Sequence, residues 1–567
     1  MLFSRSPMSL RSATRTSLFC AAGLTATLAT LLLASAAGAA PRAQRPNILL
    51  ILADDMGFSD LGSYGGEIYT PNIDRLAAQG VRFTDFHTSA YCAPTRGMLM
   101  TGADNHVVGF GNMAELLADN QIGKPGYEGA LNGRAPTVAA ILNKAGYHTY
   151  MAGKWHLGKS KDKLPAAQGF EESVVLAEGG ADNFEKKSYT PGYAAVHFYE
   201  GTNEIDLPED FYSTKFYTDK LLGYIDKNLA DKKPFFAYLA FQAVHQPHQA
   251  PENFIHRYDN VYDKGWAAIR NIRYQRQTEL GIMPGGLDLN AAGQPDWSAL
   301  SGEEKKVAAK RMAVYAGMVE YMDMSVGRLV DHLKDKGLLD NTVVLFLSDN
   351  GGESAELRKM FPAYYEKNFD LSYDRIGLKG SYSEYGPGWA GASMTPFANY
   401  KGSASEGGIR APLIIRYPKT IPIDQTTDKL ASVVDVVPTI LDFAGVPPSR
   451  AGRTNLAGAS MVPLITGRSP KLHDGDTVAQ EVAGGSAVFQ GDYKLVRNAP
   501  PLGDFKWRLY NVKLDPSESK DIAADNPKLV EALQNAYAEY VRKNGVVEAP
   551  PDYSIDGALK KNMERKK

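Results

Sequence analysis

Cys92 is the residue around which we expect the chemistry of this chain to be organised. The sequence has two cysteines, and because Cys20 lies in an apolar N-terminal run, Cys92 is the thiol that the rest of the chain keeps. Most free cysteines behave as small buried hydrophobes. Here Pro94 suits the first turn of a helix, Arg96 brings a cation close to the sulfur, and the N–H groups of a helix start point towards a bound anion. These features favour a reactive group.

Oxygen-bearing side chains follow two continuous apolar runs, at 48–53 and 343–348: Asp54, Asp55, Asp349 and Asn350. Continuous apolar runs are typical of strands buried on both faces of a parallel sheet. Either pair of polar residues alone could simply form a turn after its strand. Several carboxylates with one carboxamide suit Ca²⁺ better than Mg²⁺, which prefers to keep its waters. With Cys92 in the same chain, a metal site is the better interpretation.

Cationic and imidazole side chains are expected at the same place: Arg96, Lys154, Lys401, His156 and His245. Lys154 and His156 follow a predicted strand at 148–152, and His245 directly follows another at 235–244. A metal with several fixed cations can bind an oxyanion that bears a poor leaving group. His248 is either a substrate contact or a loop histidine.

The elements that position these residues alternate between strand and helix, as in the predicted helix at 307–333 before the strand at 343–348. Such alternation predicts an α/β fold, a mostly parallel sheet sandwiched by helices. In these sheets ligands bind beyond the carboxyl ends of the strands. Four strand ends with reactive side chains therefore predict an active site at one edge of the sheet.

The N-terminal segment has the composition of an export signal. Three arginines precede an apolar run at about 18–33, and small residues follow, which predicts a signal peptide at 1–39. An uncleaved membrane anchor is the alternative, but the run is short for a span. We therefore expect a periplasmic or secreted protein without stable membrane insertion after cleavage. The 567 residues have a formal net charge of −2 and no long basic run, so we expect no nucleic-acid partner.

The composition changes after the predicted catalytic domain, 40–445. A connecting segment at 446–476 is rich in Gly, Pro, Ser and Arg. Alternating patterns then predict a smaller α+β subdomain at 477–552, with antiparallel strands and a closing helix that stops at Gly545. The tail at 553–567 is expected to be loosely held. Three long stretches without a recognisable pattern, 160–210, 251–296 and 353–399, are expected to wall the pocket.

Two sequence motifs occur in order. The first is Cys92-Ala93-Pro94-Thr95-Arg96 with Leu99-Met100-Thr101-Gly102, and the second covers 146–156. They resemble the two signatures of type I sulfatases, the formylglycine-dependent family, with a pattern closest to bacterial arylsulfatases. Further similarity lies at 70–76, 347–352 and 406–412. The resemblance implies an alkaline-phosphatase-like fold with a smaller C-terminal domain.

The resemblance also implies that Cys92 is converted to formylglycine by a formylglycine-generating enzyme, and that the aldehyde hydrate is the nucleophile. The implied metal ligands are Asp54, Asp55, Asp349, Asn350 and the modified Cys92, with Ca²⁺ expected rather than Mg²⁺. Lys154, His245 and Lys401 are implied to bind the sulfate, and His245 and Lys401 to protonate the leaving oxygen. Arg96 is implied to fix the modified residue, and His156 to assist release of sulfate.

Three functions are compared. The first is hydrolysis of a sulfate monoester, aryl sulfate to phenol and sulfate, with a phenol, steroid or sugar sulfate as the small-molecule substrate. The second is hydrolysis of a phosphomonoester or phosphonate monoester on the same fold, since metal, cations and nucleophile would serve phosphoryl transfer too. The third is a binding protein for sulfated ligands without turnover. The intact motifs argue against the third.

Overall fold

The centre of the fold is a ten-stranded sheet whose strands lie side by side in the order 425–427, 81–83, 413–416, 342–348, 47–53, 235–240, 148–154, 172–176, 198–200 and 203–204. The computed structural model describes residues 45–289, 294–447, 456–473 and 475–565. The strands are β1 (Asn47–Ala53), β2 (Val81–Phe83), β3 (Phe86–His87), β4 (His148–Lys154), β5 (Glu172–Leu176), β6 (Phe198–Glu200), β7 (Asn203–Glu204), β8 (Phe235–Ala240), β9 (Thr342–Ser348), β10 (Leu413–Arg416), β11 (Gln425–Thr427), β12 (Ala431–Ser432), β13 (Thr477–Val482), β14 (Gly485–Gln490), β15 (Tyr493–Arg497) and β16 (Arg508–Asn511).

Helices separate most of these strands along the chain. They are α1 (Pro71–Ala78), α2 (Cys92–Thr101), α3 (Asn105–Val108), α4 (Val138–Lys144), α5 (Ser213–Lys227), α6 (Glu252–Ile255), α7 (Gly265–Glu279), α8 (Gly302–Asp335), α9 (Leu357–Met360), α10 (Pro362–Asn368), α11 (Gly386–Ser393), α12 (Glu406–Ile409), α13 (Val436–Phe443), α14 (Val462–Ile465), α15 (Pro527–Asn544) and α16 (Ile555–Arg565). The predicted helix at 307–333 is α8, which begins earlier because Ser301 and Glu304 form a capping box.

The five central strands, β9, β1, β8, β4 and β5, are parallel, and the pairs nearer the edges are mostly antiparallel. This confirms the prediction of a mostly parallel sheet. In the β1–β9 register Ala53 lies opposite Ser348. Asp54 and Asp349 therefore follow neighbouring strands at the same edge, as the sequence predicted.

Both faces of β1 are buried, which explains its continuous apolar sequence. Leu49 and Ile51 pack into the core cluster that contains the inner face of α8. Ile48, Leu50 and Leu52 pack on the other face, in a cluster with residues of α2, α4 and α13. The sheet is thus sandwiched between two helical layers, as predicted.

The C-terminal part forms a four-stranded antiparallel sheet, β13-β14-β15-β16, against which α15 packs. The sheet and α15 agree with the predicted subdomain, and Gly545 ends α15 in the left-handed conformation. Strand β13 was not predicted. The expectation of a loosely held tail at 553–567 is wrong, because α16 is a regular helix whose Asn562 and Met563 are buried.

None of the helices in the described ranges combines the length and the apolar character that a membrane span requires. The predicted signal peptide, and 448–455 of the predicted connecting segment, lie outside the described residues.

Candidate active site

Cys92 is the first residue of α2 and lies at the edge of the sheet where the central strands end. Its side chain is buried, with Sγ 3.4 Å from Asp54 Oδ1 and 3.7 Å from Asp55 Oδ1. Burial and then the charge of Asp349 raise the pKa of the Cys92 thiol well above its ordinary value. The sequence predicted Arg96 beside the sulfur as an activating cation. Arg96 is paired with the Asp349 carboxylate, and because burial and Asp349 raise the pKa of the thiol, an unmodified Cys92 is a poor thiolate here.

Arg96 and Lys154 each hold a buried carboxylate beside Cys92. Arg96 Nε donates to Asp349 Oδ2 at 2.9 Å, and its Nη1 donates to the Lys154 carbonyl at 2.9 Å. Lys154 Nζ donates to Asp54 Oδ2 at 2.6 Å. Although burial opposes it, the Arg96 charge holds the pKa of Asp349 below its usual value. In Asp54, by contrast, burial dominates and raises the pKa to about 7.

Lys401 and His245 approach Asp55 from the other side. Lys401 Nζ donates to Asp55 Oδ2 at 2.8 Å, and His245 Nε2 lies 3.4 Å from the same oxygen. Lys401 also pairs with Glu353 at 2.9 Å, a residue to which the sequence analysis gave no role. Glu353 follows Asn350 by three residues in a loop without a motif, so only the structure could reveal its contact with Lys401.

His156 lies close to the same group but makes a different contact. Its ring packs over Gly179, where an added Cβ would lie 2.6 Å from His156 Cε1, and its buried Nδ1 has no hydrogen-bond partner. Burial and then the Lys154 charge hold the pKa of His156 well below its usual value. Burial and then Lys401 do the same for the pKa of His245. Both histidines are therefore neutral at neutral pH.

Local backbone geometry aims these side chains into the site. Asp55 and His156 adopt left-handed conformations, with φ of 61° and 58°, which is uncommon for residues other than glycine and is found at functional sites. Gly153 in β4 has φ of 127°, and an added Cβ would lie 1.7 Å from the Ala240 carbonyl oxygen. Only glycine allows β4 and β8 to approach each other this closely. Strand β4 therefore continues to Lys154, beyond the predicted end at 152.

The donor groups fit a divalent cation that prefers oxygen. Ligand atoms of Asp54, Asp55, Cys92 and His245 all lie within 4.8 Å of one another. Asn350 Nδ2 donates to Asp55 Oδ1 at 2.7 Å, while Asn350 Oδ1 is buried without a hydrogen-bond partner. An orphaned buried acceptor beside clustered carboxylates is what a bound hard cation would satisfy. Of the predicted ligands, Asp54, Asp55 and Cys92 lie in this group. Asp349 and Asn350 border it through hydrogen bonds with Asp55, and His245 joins the group although the sequence did not predict it as a ligand.

Comparison with known proteins decides the family. The sulfatase family model matches residues 46–446, and a model of the N-sulphoglucosamine sulphohydrolase C-terminal region matches 401–543. The chain belongs to the sulfatase family. An uncharacterized sulfatase of Schizosaccharomyces pombe is 39% identical over 533 residues, 90% of this chain and 96% of that protein. An arylsulfatase of Klebsiella aerogenes is 39% identical over 445 residues, 77% of this chain and 93% of that protein.

The fold agrees with this assignment. The solved structure of Ps i-CgsB superposes with a TM-score of 0.64 and 25% identity, over 92% of this chain and 98% of that one. The mostly parallel sheet between helical layers, with a small antiparallel sheet after it, is the alkaline-phosphatase-like fold of sulfatases. The fold inferred from the sequence resemblance is therefore confirmed.

A cavity of about 500 Å³ opens above Cys92 in this sulfatase, and Lys401, His156 and His245 also line it. Two of the three stretches predicted to wall the pocket do so: 160–210 contributes Tyr189 and Tyr193, and 353–399 contributes Leu357 and Met360. Of 251–296, the described residues 251–289 and 294–296 do not line the cavity, so the prediction is wrong for them. Helices α6 and α7 of this stretch pack against α8 and α11 instead.

His248 does not line the cavity of the sulfatase. Its ring packs edge-to-face against Tyr315 and Tyr385, at centroid distances of 5.3 and 4.8 Å, and neither ring nitrogen has a hydrogen-bond partner. Burial lowers the pKa of His248 to about 3. Of the two alternatives, the structure thus favours a loop histidine over a substrate contact.

Proposed function

We propose that this sulfatase hydrolyses aryl sulfate monoesters to a phenol and inorganic sulfate, with Cys92 acting in its formylglycine form. As a member of the sulfatase family the chain is a sulfuric ester hydrolase. The observation that carries the aryl proposal is the site itself. Cys92 lies at a cavity where three cations surround it and where aromatic residues such as Tyr189 and Tyr193 complete the lining.

The position of each charged residue around Cys92 suggests its role in the reaction. Lys154 and Lys401 are buried ammonium groups whose charges act on Cys92, and both are proposed to bind sulfate oxygens. Preorganised charges of this kind stabilise a transition state without reorganising when it forms. Lys401 and His245 face the cavity. Lys401 is proposed to supply a proton to the leaving phenolic oxygen, and His245, neutral in the structure, to share this role once the bound anionic ester favours its protonated form. Arg96 fixes Asp349 and the carbonyl of Lys154 and so holds this frame.

Two groups complete the proposed site. Formylglycine at Cys92 supplies, as its hydrate, two hydroxyls on one carbon, so that sulfate can be released without attack of water on sulfur. Asp54, Asp55, Asp349 and Asn350 would hold a Ca²⁺ ion, which would supply positive charge to the site. His156, neutral and without a partner at Nδ1, is proposed to accept the proton that leaves when sulfate is released.

The proposal includes export and maturation. The predicted signal peptide at 1–39 would deliver the chain to the periplasm or the medium, and a formylglycine-generating enzyme would act on Cys92 beforehand.

The test compares matched substrates and examines Cys92 directly. Protein produced with a formylglycine-generating enzyme should hydrolyse 4-nitrophenyl sulfate with a higher kcat/KM than 4-nitrophenyl phosphate, and mass spectrometry of the Cys92 peptide should show the aldehyde. Cys92→Ala should be inactive with an unchanged unfolding midpoint, whereas Met98→Leu in the same helix should stay active. Unmodified cysteine in fully active protein would refute the formylglycine mechanism. A preference for the phosphate would favour the phosphomonoesterase alternative.

A further inference from the structure

We propose that helix α16 is the specificity wall of the active site and that it selects sulfate esters whose alcohol carries an extended apolar body, beyond a single aromatic ring. This inference rests on the proposed function and adds the substrate class to it. Five residues of α16 line the cavity that opens above Cys92: Ile555, Asp556, Leu559, Lys560 and Met563. The catalytic residues all come from the sheet edge and its loops, whereas α16 ends the described chain.

Helix α16 presents one apolar stripe to the cavity. Ile555, Leu559 and Met563 are spaced four residues apart, so they lie on the same face of the helix. Leu559 packs against two separate apolar clusters, one that contains Tyr91 and Leu116 and one that contains Tyr189 and Leu357. Leu559 therefore bridges two opposing parts of the cavity wall.

The helix is fixed to the catalytic part at both ends. At its start, Tyr553 Oη donates to the Leu116 carbonyl at 2.8 Å and the Ile555 N–H donates to the Pro500 carbonyl at 2.9 Å. Near its end, the buried Asn562 donates through Nδ2 to the carbonyls of Glu115 and Leu117 at 3.1 and 3.0 Å. These bonds satisfy backbone carbonyls that border the cavity, so α16 is part of the site's wall and not an appendage.

The size and the lining of the cavity indicate what kind of alcohol group the sulfate ester carries. A volume of about 500 Å³ lies within the range of pockets that enclose a drug-sized ligand, which is more than one aromatic ring fills. The lining of the cavity includes many apolar and aromatic side chains: Met113, Leu116, Tyr193, Leu357, Met360 and Leu559. Asp556 and Lys560 of α16 also line the cavity, but a sugar would place part of its hydroxyls against the apolar stripe, which costs binding energy. An apolar polycyclic or alkyl-substituted phenol fits instead.

The test compares sulfate esters whose alcohol part differs in size and polarity. Purified full-length enzyme is assayed with 4-nitrophenyl sulfate, with 1-naphthyl sulfate, and with N-acetylglucosamine 6-sulfate. Leu559→Ala removes the bridging side chain, and a chain ending after Ser554 removes the whole wall. Glu564→Ala, on the exposed face of the same helix, is the matched control. Truncating one apolar side chain in a substrate pocket typically changes discrimination by roughly tenfold or more.

We expect Leu559→Ala to raise KM for 1-naphthyl sulfate about tenfold and KM for 4-nitrophenyl sulfate by clearly less, so that the ratio of the two KM values changes. Glu564→Ala should leave both KM values unchanged, and the shortened chain should lose the naphthyl preference. Equal effects on both aryl substrates, or none, would overturn the assignment of α16, and so would a wild-type preference for the sugar sulfate. If the wild-type enzyme hydrolyses none of the three esters, the proposed function itself is wrong. If the wild-type enzyme is active and only the variants behave differently from this expectation, the assignment of α16 is wrong and the proposed function stands.

Discussion

His106 forms a buried charge cluster that makes the stability of the protein depend on pH above neutrality. It is fully buried, with Nδ1 3.0 Å from Asp104 Oδ1 and Nε2 2.9 Å from Glu481 Oε2. Tyr540 Oη donates to Asp104 Oδ2 at 2.8 Å. Since Glu481 lies on β13 and Tyr540 on α15, the cluster joins the segment after α2 to the C-terminal sheet and its helix.

The magnitude follows from the pKa. Burial lowers the pKa of His106, but the hydrogen bonds that its ring donates to Asp104 and Glu481 outweigh burial and raise the pKa from 6.5 to about 9. A shift of that size corresponds to about 3 kcal/mol. Because the folded-state pKa lies above the unfolded one, this contribution is complete below about pH 6.5 and is lost as the pH rises through about 9.

His106→Gln removes the titrating group and leaves the same two carboxylates. We expect the variant to be less stable than the wild type by about 3 kcal/mol at about pH 6, and the difference to shrink towards zero at about pH 10 as wild-type His106 loses its proton. Urea unfolding followed by fluorescence, repeated across this range, measures the difference. His256→Gln, whose side chain is 59% exposed, is the control and should keep the wild-type pH profile. A wild-type-to-variant gap that stays constant from about pH 6 to about pH 10 would show that His106 is not charged in the folded protein.

Two further predictions concern other buried charges. Lys494 donates to Glu406 and to Glu518 at 2.8 Å, and all three side chains are buried. Lys494→Met should therefore lower the free energy of unfolding in urea by about 3–5 kcal/mol, because it leaves buried carboxylates without their partner. Lys506→Met, at an exposed position, should leave that free energy almost unchanged. A Lys494→Met loss below about 1 kcal/mol would contradict this argument. Dialysis against a chelator should abolish sulfate hydrolysis, with Ca²⁺ restoring it better than Mg²⁺, and elemental analysis should find the bound metal reduced in Asp54→Asn. Full activity in metal-free protein would rule out the cation.

The sequence was most informative for features that depend on residues close together along the chain. Strands buried on both faces read as unbroken apolar runs, and the polar residues that follow them, such as Asp54 and Asp349, stand out at once. Parallel topology then places these ends together without further information. The sequence motifs around Cys92 added the family and the implied modification, which the geometry alone does not contain.

The walls of the cavity were much harder to predict, because their contacts join distant parts of the chain. Helix α16 has only three apolar residues in its cavity-facing stripe and follows Pro550 and Pro551, so its sequence resembles a polar tail. Its position depends on partners more than 400 residues away, such as the Glu115 carbonyl bound by Asn562. The contact of Glu353 with Lys401 likewise depends on tertiary structure and has no periodic signal.

The charge balance of the site connects its geometry to the choice between sulfate and phosphate. The ionisable side chains around Cys92 include three cations and four carboxyl groups: Arg96, Lys154 and Lys401, with Asp54, Asp55, Asp349 and Glu353. His156 and His245 stay neutral because burial lowers their pKa values. With a divalent cation bound and its ligands deprotonated, one positive charge is left over. A sulfate monoester carries one negative charge, whereas a phosphate monoester carries nearly two at neutral pH. In a buried site an unmatched charge is costly, so this arrangement favours the sulfate.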